Sequence, residues 1–370
     1  MNKSSKLFTP VRAGALELSH RIVMPPLTRL RADLPGDLPS ALMMEYYFQR
    51  ATEGGLLVTE ATSVSTDGRA YYGAPGFFND AQIPAWKKVV DAVHAKGARF
   101  FNQLWHGGRV SHSSLSEGRT PVAPSEVLFE GGQAFTQHGW MAVSPARALE
   151  VDEIHGIVEE FRAAARRAKE AGFDGVELHG ANGYLIDQFL QDNTNKRTDR
   201  YGGPVENRAR FLLEVVEAVA SVFGADRVGV RISPASKFNA MADSNPQATF
   251  GHVAKELNRF GLAYLHVIEP RIDGFTLIEA GLEPVAARTL RQVFRGTLIA
   301  AGGFEPDTAE EIVAKGDADL VAFGRHFIAN PDLVWRIQNG VNLNSYDRDS
   351  FYGGGAKGYI DYPFYPVLQG

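Results

Sequence analysis

The chain has 370 residues, of which 44% are hydrophobic and 22% charged, a composition typical of a globular protein and not of a disordered or collagen-like one. It contains 38 lysines and arginines and 43 aspartates and glutamates, and the net charge of −5 argues against nucleic acid as a partner. The lack of cysteine excludes disulfides, thiolate zinc sites, cysteine nucleophiles and cysteine-ligated iron–sulfur clusters.

The N-terminal segment carries lysines but no apolar h-region, and no later stretch approaches about 18 uninterrupted apolar residues. We therefore expect a cytoplasmic protein with no membrane partner. Residues 7–20 place Gly14 between the apolar residues Val11 and Leu16, a pattern that predicts a β-hairpin. The length alone admits either one large barrel or two smaller domains.

Short apolar runs recur along the chain, and each is followed by a longer stretch with helical periodicity. This alternation predicts a parallel α/β architecture. The eight predicted strands are residues 21–24, 56–60, 98–104, 175–179, 228–232, 263–268, 298–301 and 320–324. The predicted helices are residues 40–52, 82–95, 152–171, 205–223, 247–260, 283–294, 306–314 and 331–339.

Local residues support several of these boundaries. Asp152 stands before an apolar helical stripe, where we expect an N-cap, and Gly172 is expected to end that helix. Asn330 followed by Pro331 predicts a cap and a first turn for the last helix.

Eight strand–helix pairs favour a closed (β/α)8 TIM barrel over an open doubly wound sheet, which about six strands complete. We expect one domain over residues 1–370. The hairpin would close one end of the barrel, and an excursion over residues 105–150 would follow the third strand.

The carboxyl ends of barrel strands converge on one pocket, so the residues at these ends are candidates for a functional site. Strand alternation puts Glu177 and His179 on the face that points into the barrel, opposite Val176 and Leu178. The residues at or just after the strand ends are Thr28, Glu60, Ala61, Gln103, His179, Asn182, Tyr184, Arg231, Glu269, Gly302, Gly303, Gly324 and Arg325.

Glycines follow the last two strands, Gly302 and Gly303 after the seventh and Gly324 with Arg325 after the eighth. Unobstructed backbone N–H groups beside an arginine suit a phosphate, and these two loops are the usual phosphate site of this architecture. The alternative is that the glycines only permit tight turns. Their combination with an arginine favours phosphate.

His179, Asn182 and Tyr184 share one loop. A histidine and an amide suit a carbonyl oxygen, whose negative charge they would stabilise while a conjugated β-carbon accepts a hydride. The phenol suits proton donation to the adjacent carbon. The alternative is a core histidine bonded to the backbone and a tyrosine packed on the helix that follows.

Gln103 and Arg231 are polar residues inside predicted strands, where burial is costly without a partner. A planar heterocycle with amide-like edges would satisfy both. The alternative is an internal ion pair between Arg231 and Glu177.

Sequence motifs at these same strand ends occur together in one known family. They are MPPLTR at 24–29, APG at 74–76, QLWH at 103–106 with GR at 108–109, HGANGY at 179–184 with QFL at 188–190, RTD at 197–199 with YGG at 201–203, ENR at 206–208, AFGR at 322–325 and IANP at 328–331. Over residues 7–363 the chain resembles the old yellow enzyme family of flavin-dependent ene-reductases. Position 28 is threonine and not the cysteine of the branch known from thermophiles, so the resemblance points to the branch of N-ethylmaleimide, pentaerythritol tetranitrate and 12-oxophytodienoate reductases.

The resemblance implies a barrel that binds FMN noncovalently at its mouth, is reduced by NADPH or NADH, and is reoxidised by a small activated alkene. His179 and Asn182 would hold the substrate carbonyl so that flavin N5 delivers hydride to the β-carbon, and Tyr184 would protonate the α-carbon. The implied flavin contacts are Pro26, Leu27, Thr28 and Ala61 along the ring, Gln103 and Arg231 at its polar edge, and Gly302, Gly303, Gly324 and Arg325 at the phosphate.

The resemblance also implies that Tyr71, Trp105 and Tyr352 shape the substrate pocket. Tyr71 is preferred to its neighbour Tyr72 because of its spacing to the APG motif. Residues 238–246, after the fifth strand, are expected to form a lid that sets selectivity. The protein is expected to be a monomer or a weak homo-oligomer.

Three other functions remain open from the sequence. A barrel glycosidase would use two of the carboxylates Glu60, Glu177 and Glu269, but the fourth and seventh strands end in histidine and glycine instead. A metal-dependent hydrolase would need several ligands close together, but the histidines of this chain do not have the spacing of metal ligands, so we expect no metal site. A flavin-binding barrel without catalysis is the third alternative, and Tyr184 is the residue that distinguishes it.

Overall fold

Within residues 5–273, 276–277 and 286–366, which the computed structural model describes, eight parallel strands close into a barrel. Each strand pairs with the next along the chain, and the eighth pairs with the first through Val321 and Ile22. The predicted (β/α)8 barrel is therefore confirmed. Its strands are β1 Ile22–Met24, β2 Leu56–Val58, β3 Arg99–Trp105, β4 Gly175–Gly180, β5 Val228–Ile232, β6 Tyr264–Ile268, β7 Leu298–Ala301 and β8 Leu320–Ala322.

Helices surround this barrel. Those in the described residues are α1 Ala41–Arg50, α2 Gln82–His94, α3 Val151–Glu170, α4 Leu185–Leu190, α5 Val205–Phe223, α6 Pro246–Leu257, α7 Ala286–Arg291, α8 Pro306–Lys315, α9 Gly324–Ala329 and α10 Leu333–Asn339. The predicted helix 283–294 begins outside the described residues. No helix of the described chain is long and apolar enough to cross a membrane.

Two predicted helix caps are wrong. Helix α3 begins one residue earlier than expected because Glu150 is its N-cap, in a reciprocal capping box with Glu153. Asn330 does not begin the last helix but closes α9, since its backbone N–H and its side-chain amide both donate to the carbonyl of His326. Helix α10 begins after Asp332 instead.

The predicted eighth strand also ends early, because Gly324 already belongs to α9. The second strand likewise stops at Val58, before the predicted end at Glu60. The other predicted strands agree with the structure to within a residue or two at each end.

The N-terminal hairpin closes the end of the barrel at which the strands begin, as predicted. Its antiparallel strands Val11–Ala13 and Leu16–Leu18 turn at Gly14, where φ is 57°. A Cβ at Gly14 would lie 2.1 Å from the carbonyl oxygen of Asp226, so only glycine allows this approach to the barrel. The hairpin's buried side chains pack with those that fill the barrel interior, such as Phe101.

The excursion after β3 lies at the opposite end. It contains a parallel pair, Val122–Ala123 with Arg147–Ala148, and a hairpin, Gln133–Thr136 with Gly139–Ala142. The backbone N–H of Tyr72 donates to the carbonyl of Phe135, 2.7 Å away, which attaches the hairpin to the loop after β2. Further short strands are Thr62–Ser63, Ile272–Asp273 and Thr276–Leu277.

Side-chain alternation separates an outer core from an inner one. Val176 and Leu178 belong to the cluster shared with the helices, whereas Glu177 and His179 point into the barrel, as predicted. The inner face of β5 carries Gly229 and Arg231, and a Cβ at Gly229 would lie 2.3 Å from the ring of Tyr264. Polar side chains therefore point into the barrel interior, and the two-residue alternation of each strand predicts from the sequence which residues these are.

Gly229→Ala is expected to destabilise the fold by about 1–3 kcal/mol, because the added methyl group overpacks a barrel interior in which the fully buried ring of Tyr264 has no room to move. Denaturant unfolding measures this effect. Gly251→Ala in α6 is the matched control, since its Cβ would meet nothing within 4 Å, and it should leave stability unchanged or raise it slightly. Equal stability of the two variants would contradict the packing argument.

Candidate functional site

A cavity of about 880 Å³ opens at the carboxyl ends of the strands. This volume lies within the range of about 300–1,000 Å³ that is usual for small-molecule and cofactor sites. The cavity brings together fourteen of the sixteen predicted site residues: Pro26, Leu27, Thr28, Tyr71, Gln103, His179, Asn182, Tyr184, Arg231, Gly302, Gly303, Gly324, Arg325 and Tyr352.

Ala61 and Trp105, also predicted as contacts, are not on this wall. Both are buried, in a small apolar cluster behind it. The Trp105 ring centroid lies 5.1 Å from that of Tyr184 and 5.7 Å from that of Tyr71. These two tyrosines cover the tryptophan, so in this structure it supports the wall and does not line it.

Tyr184 lies at the centre of the aromatic side of the cavity. Its hydroxyl oxygen is 3.2 Å from that of Tyr71, a hydrogen-bonding distance. Tyr72, the residue next to Tyr71 in the chain, is 38% exposed. Burial, and then the neighbouring phenol of Tyr71, raise the pKa of Tyr184 well above its usual value. The Tyr184 hydroxyl therefore keeps its proton at neutral pH.

His179 faces Tyr184, with 4.9 Å between the ring centroids. Its Nδ1 is buried and has no hydrogen-bond partner among the described residues. Burial, and the positive charge of Arg231, hold the pKa of His179 well below its usual value. The imidazole is therefore neutral.

Asn182 is presented by a strained turn after β4. Its φ is 59° and that of Gly183 is 74°, both in the left-handed region. The backbone N–H of Asn182 donates to Ser233 Oγ, 2.8 Å away, and that of Gly183 to the buried carboxylate of Asp187, 2.9 Å away. Desolvation raises the pKa of Asp187 to about 7. These contacts hold the turn while the Asn182 side chain faces the cavity.

The floor of the cavity is polar. Gln103 Nε2 donates to Glu177 Oε1, 2.8 Å away, and His266 Nδ1 donates to Glu177 Oε2, 2.9 Å away. Arg231 forms no hydrogen bond with Glu177, and its buried Nε has no partner within the described chain. The alternative of a direct Arg231–Glu177 pair is thus not what the structure shows.

His266 is a residue that the sequence reasoning missed. It lies in β6 between two apolar residues, on the same face as Tyr264 and Ile268. The alternation used for β4 would have found it, because a histidine on the inner face of a buried strand needs a polar partner.

The glycine-rich end of the cavity lies across from the phenols. Gly302 and Gly303 have φ values of 114° and 67°. Arg271 Nη2 donates to the carbonyl of Gly302, 2.6 Å away. Arg325 lines the cavity beside Gly324, and its Nη1 donates to the hydroxyl of Tyr346, 3.2 Å away. Both glycines line the cavity, and Arg271 holds the carbonyl of Gly302 in place.

The outer wall contains a second missed residue, Trp140, which comes from the hairpin of the excursion. It is 50% exposed, and its ring centroid lies 5.9 Å from that of Tyr71 and 6.5 Å from that of Tyr352. Trp140 reaches the cavity wall because its hairpin pairs with the loop after β2. No signal local to its sequence position distinguishes it from a surface tryptophan.

Of residues 238–246, which were expected to form a lid, residues 238–240 line the cavity as a short 3-10 turn. Arg109 Nη2 donates to the carbonyl of Asn239, 2.9 Å away. The guanidinium of Arg109 also stacks 4.8 Å from the ring centroid of Phe129. Arg109 thereby joins the loops after β3 and β5.

The carboxylates that a glycosidase would use have structural partners instead. Glu60 accepts the backbone N–H groups of Arg29 and Leu30, and Glu269 accepts those of Ala286 and Ala287. In the part of the chain that the structure describes, no group of three or more histidine or acidic side chains is arranged to hold a metal ion.

The chain as a whole is similar to several known proteins. The sequence profile of the NADH:flavin oxidoreductase / NADH oxidase family matches residues 6–344. The chain is 48% identical over 364 residues to 12-oxophytodienoate reductase 1 of Oryza sativa subsp. japonica, covering 97% of this chain and 93% of the relative. It is 45% identical over 381 residues to flavin oxidoreductase hxnT of Emericella nidulans, covering 97% of each chain.

Solved structures show the same likeness. Morphinone reductase is 47% identical and superimposes with a TM-score of 0.91, covering 98% of this chain and 96% of the other. Morphinone reductase in complex with tetrahydroNAD is 48% identical and also has a TM-score of 0.91, covering 98% of this chain and 99% of the other.

Proposed function

The chain belongs to the NADH:flavin oxidoreductase / NADH oxidase family, the old yellow enzymes, and is an FMN-dependent ene-reductase; from this we propose which residues carry the reaction and which reductant serves it. We propose that it reduces the C=C bond of small α,β-unsaturated carbonyl compounds. The proposed reductant is NADPH, with NADH as the alternative. We further propose that the chain is a single domain that acts as a monomer or a weak homo-oligomer.

The residues of the cavity fit FMN. The buried Nε of Arg231, which has no partner among the described residues, and the amide of Gln103 suit the polar edge of an isoalloxazine ring. The glycine-lined end with Arg325 suits the phosphate. Thr28, Pro26 and Leu27 would lie along the ring. Bound FMN supplies reversible acceptance and donation of hydride.

His179 and Asn182 bind the substrate carbonyl in this proposal. A neutral imidazole has one N–H donor, and the side-chain amide of Asn182 has two, so both groups can donate to a carbonyl oxygen. Held by the turn at Gly183, they stabilise the negative charge that develops on the carbonyl oxygen. The same contacts orient the alkene for reduction.

Tyr184 donates the proton to the α-carbon. The observation that carries this assignment is the pair of phenols, with Tyr184 protonated by burial and its hydroxyl 3.2 Å from that of Tyr71. A phenol is a suitable general acid at this position, because the carbon that it protonates becomes strongly basic once hydride has been added. Tyr71 orients the hydroxyl, while Trp140 and Tyr352 narrow the mouth.

The test is a visible spectrum of the purified protein, followed by anaerobic titration with NADPH and then NADH, and reoxidation with cyclohexenone. We expect a yellow protein that either nucleotide bleaches, NADPH at the lower concentration, and that the enone returns to yellow. Colourless folded protein that takes up no added FMN would contradict the proposal.

His179→Ala is expected to weaken phenolic ligands, which form coloured charge-transfer complexes with bound flavin, by about tenfold or more, since one hydrogen bond to a charged oxygen is lost. Because His179 is neutral, its titration should add no inflection to phenol binding between about pH 6 and pH 8. A long-wavelength absorbance titration measures both effects. His138→Ala, at an exposed position, is the control, and equal affinities in the two variants would refute the assignment.

A further inference from the structure

The carboxylate of Glu177 lies in the middle of the barrel interior, below the cavity, and the reaction proposed above does not use it. Its side chain is fully buried, and both of its oxygens accept hydrogen bonds, one from Gln103 and one from His266. His266 belongs to β6, two strands away from β4. It reaches Glu177 across the inner face of the strand between them, where Gly229 is paired with Glu177.

The hydrogen bond between Gln103 and Glu177 decides which end of the Gln103 amide faces the carboxylate. An ionised carboxylate only accepts hydrogen bonds, so the NH2 group of Gln103 must face Glu177. Desolvation acts to raise the pKa of Glu177, but His266, Arg231 and Gln103 together hold it below its usual value, so the group is ionised. The carbonyl oxygen of Gln103 is then the atom left to face the cavity that this residue lines.

The same carboxylate balances the charge of Arg231. Burial lowers the pKa of Arg231, and the negative charge of Glu177 acts in the opposite direction. No hydrogen bond joins the two groups, and the Nε of Arg231 has no partner within the described residues. Glu177 thus offsets the buried guanidinium charge through space without accepting a hydrogen bond from it.

We propose that Glu177 is a positioning residue of the flavin site, which turns the Gln103 carbonyl oxygen toward the pyrimidine edge of FMN and moderates the charge of Arg231, and so sets the affinity and the reduction potential of the bound flavin. This inference rests on the proposed function, since it concerns how the same cavity holds FMN.

Glu177→Gln tests both parts. Removing the negative charge leaves Arg231 less compensated, and since reduced flavin carries negative charge, the midpoint potential should move to more positive values. The new amide can also donate to Gln103 and turn its NH2 group toward the cavity, so the dissociation constant for FMN should rise by about tenfold or more. Spectroelectrochemistry and fluorescence titration of the apoprotein with FMN measure these two quantities.

Glu177→Asp separates the two effects, because it keeps the charge but shortens the reach to Gln103. We expect FMN to bind more weakly than in the wild type while the midpoint potential stays close to the wild-type value. This variant also tests the proposal if Glu177→Gln does not fold, since an unchanged FMN dissociation constant in Glu177→Asp would overturn the positioning role.

Asp174→Asn is the matched control, at the residue just before the other end of β4. Its carboxylate accepts the backbone N–H of Phe100, 2.8 Å away, far from the cavity wall, so the flavin potential should not change. A Glu177→Gln protein with wild-type affinity and potential would overturn the inference and leave the proposed function intact. Failure of the wild-type protein to bind FMN would instead refute the proposed function itself.

Discussion

Tyr184→Phe is expected to slow cyclohexenone reduction by at least about tenfold while FMN binding and reduction by NADPH stay close to wild type. The reason is that the substitution removes only the phenolic proton, and general acid catalysis contributes on the order of 10²–10⁴ in rate. The ring itself still packs 5.1 Å from Trp105 and 4.9 Å from His179, measured between centroids, so the wall keeps its shape. Stopped-flow measurement of the two half-reactions separates flavin reduction from alkene reduction.

Two controls accompany this variant. Tyr72→Phe removes the phenol of the exposed neighbour and should leave both half-reactions unchanged. Tyr71→Phe removes the hydroxyl 3.2 Å from that of Tyr184, and we expect a smaller loss of alkene reduction, since Tyr184 keeps its proton but loses its orienting partner. If Tyr184→Phe reduces the alkene as fast as the wild type does, Tyr184 is not the proton donor. The barrel would then still bind flavin, but the protonation step would have no assigned residue.

Gly302→Val is expected to weaken FMN binding by about 100-fold or more. Gly302 has a φ of 114°, a conformation that is open essentially only to glycine, and a β-branched residue there costs on the order of 1–3 kcal/mol of strain. A Cβ would also lie 3.3 Å from the Cβ and the backbone nitrogen of Glu269. The loop must shift to relieve this strain, and it is the loop that we assign to the flavin phosphate. Fluorescence titration of the apoprotein with FMN measures the loss.

Gly316→Val is the matched control for this effect. Gly316 ends α8 with a φ of 78°, and a Cβ there would meet nothing within 4 Å. The variant should lose a similar amount of folding stability through backbone strain but bind FMN as the wild type does. If the two variants bind FMN equally well, the phosphate assignment of the Gly302 loop is wrong.

Much of the site follows from the sequence because of strand geometry. In a parallel barrel the carboxyl ends of all strands meet at one mouth, so the residues after each apolar run become neighbours however far apart they lie in the chain. His179, Arg231 and Gly302 were found in this way, and the cavity wall contains all three. The motif order then supplied the family, which the comparisons confirm.

What the sequence by itself determined was therefore the barrel, the hairpin below it and the set of side chains at its mouth, since each depends on local periodicity and on the chemistry of single residues. Only the tertiary structure decided which of these side chains face the cavity: it places Trp105 behind two tyrosines, brings Trp140 in on a distant hairpin, and joins Glu177 to His266 inside the barrel. The physical reason is that such contacts depend on the volume left by neighbouring strands once the barrel has closed, and no local pattern carries that information.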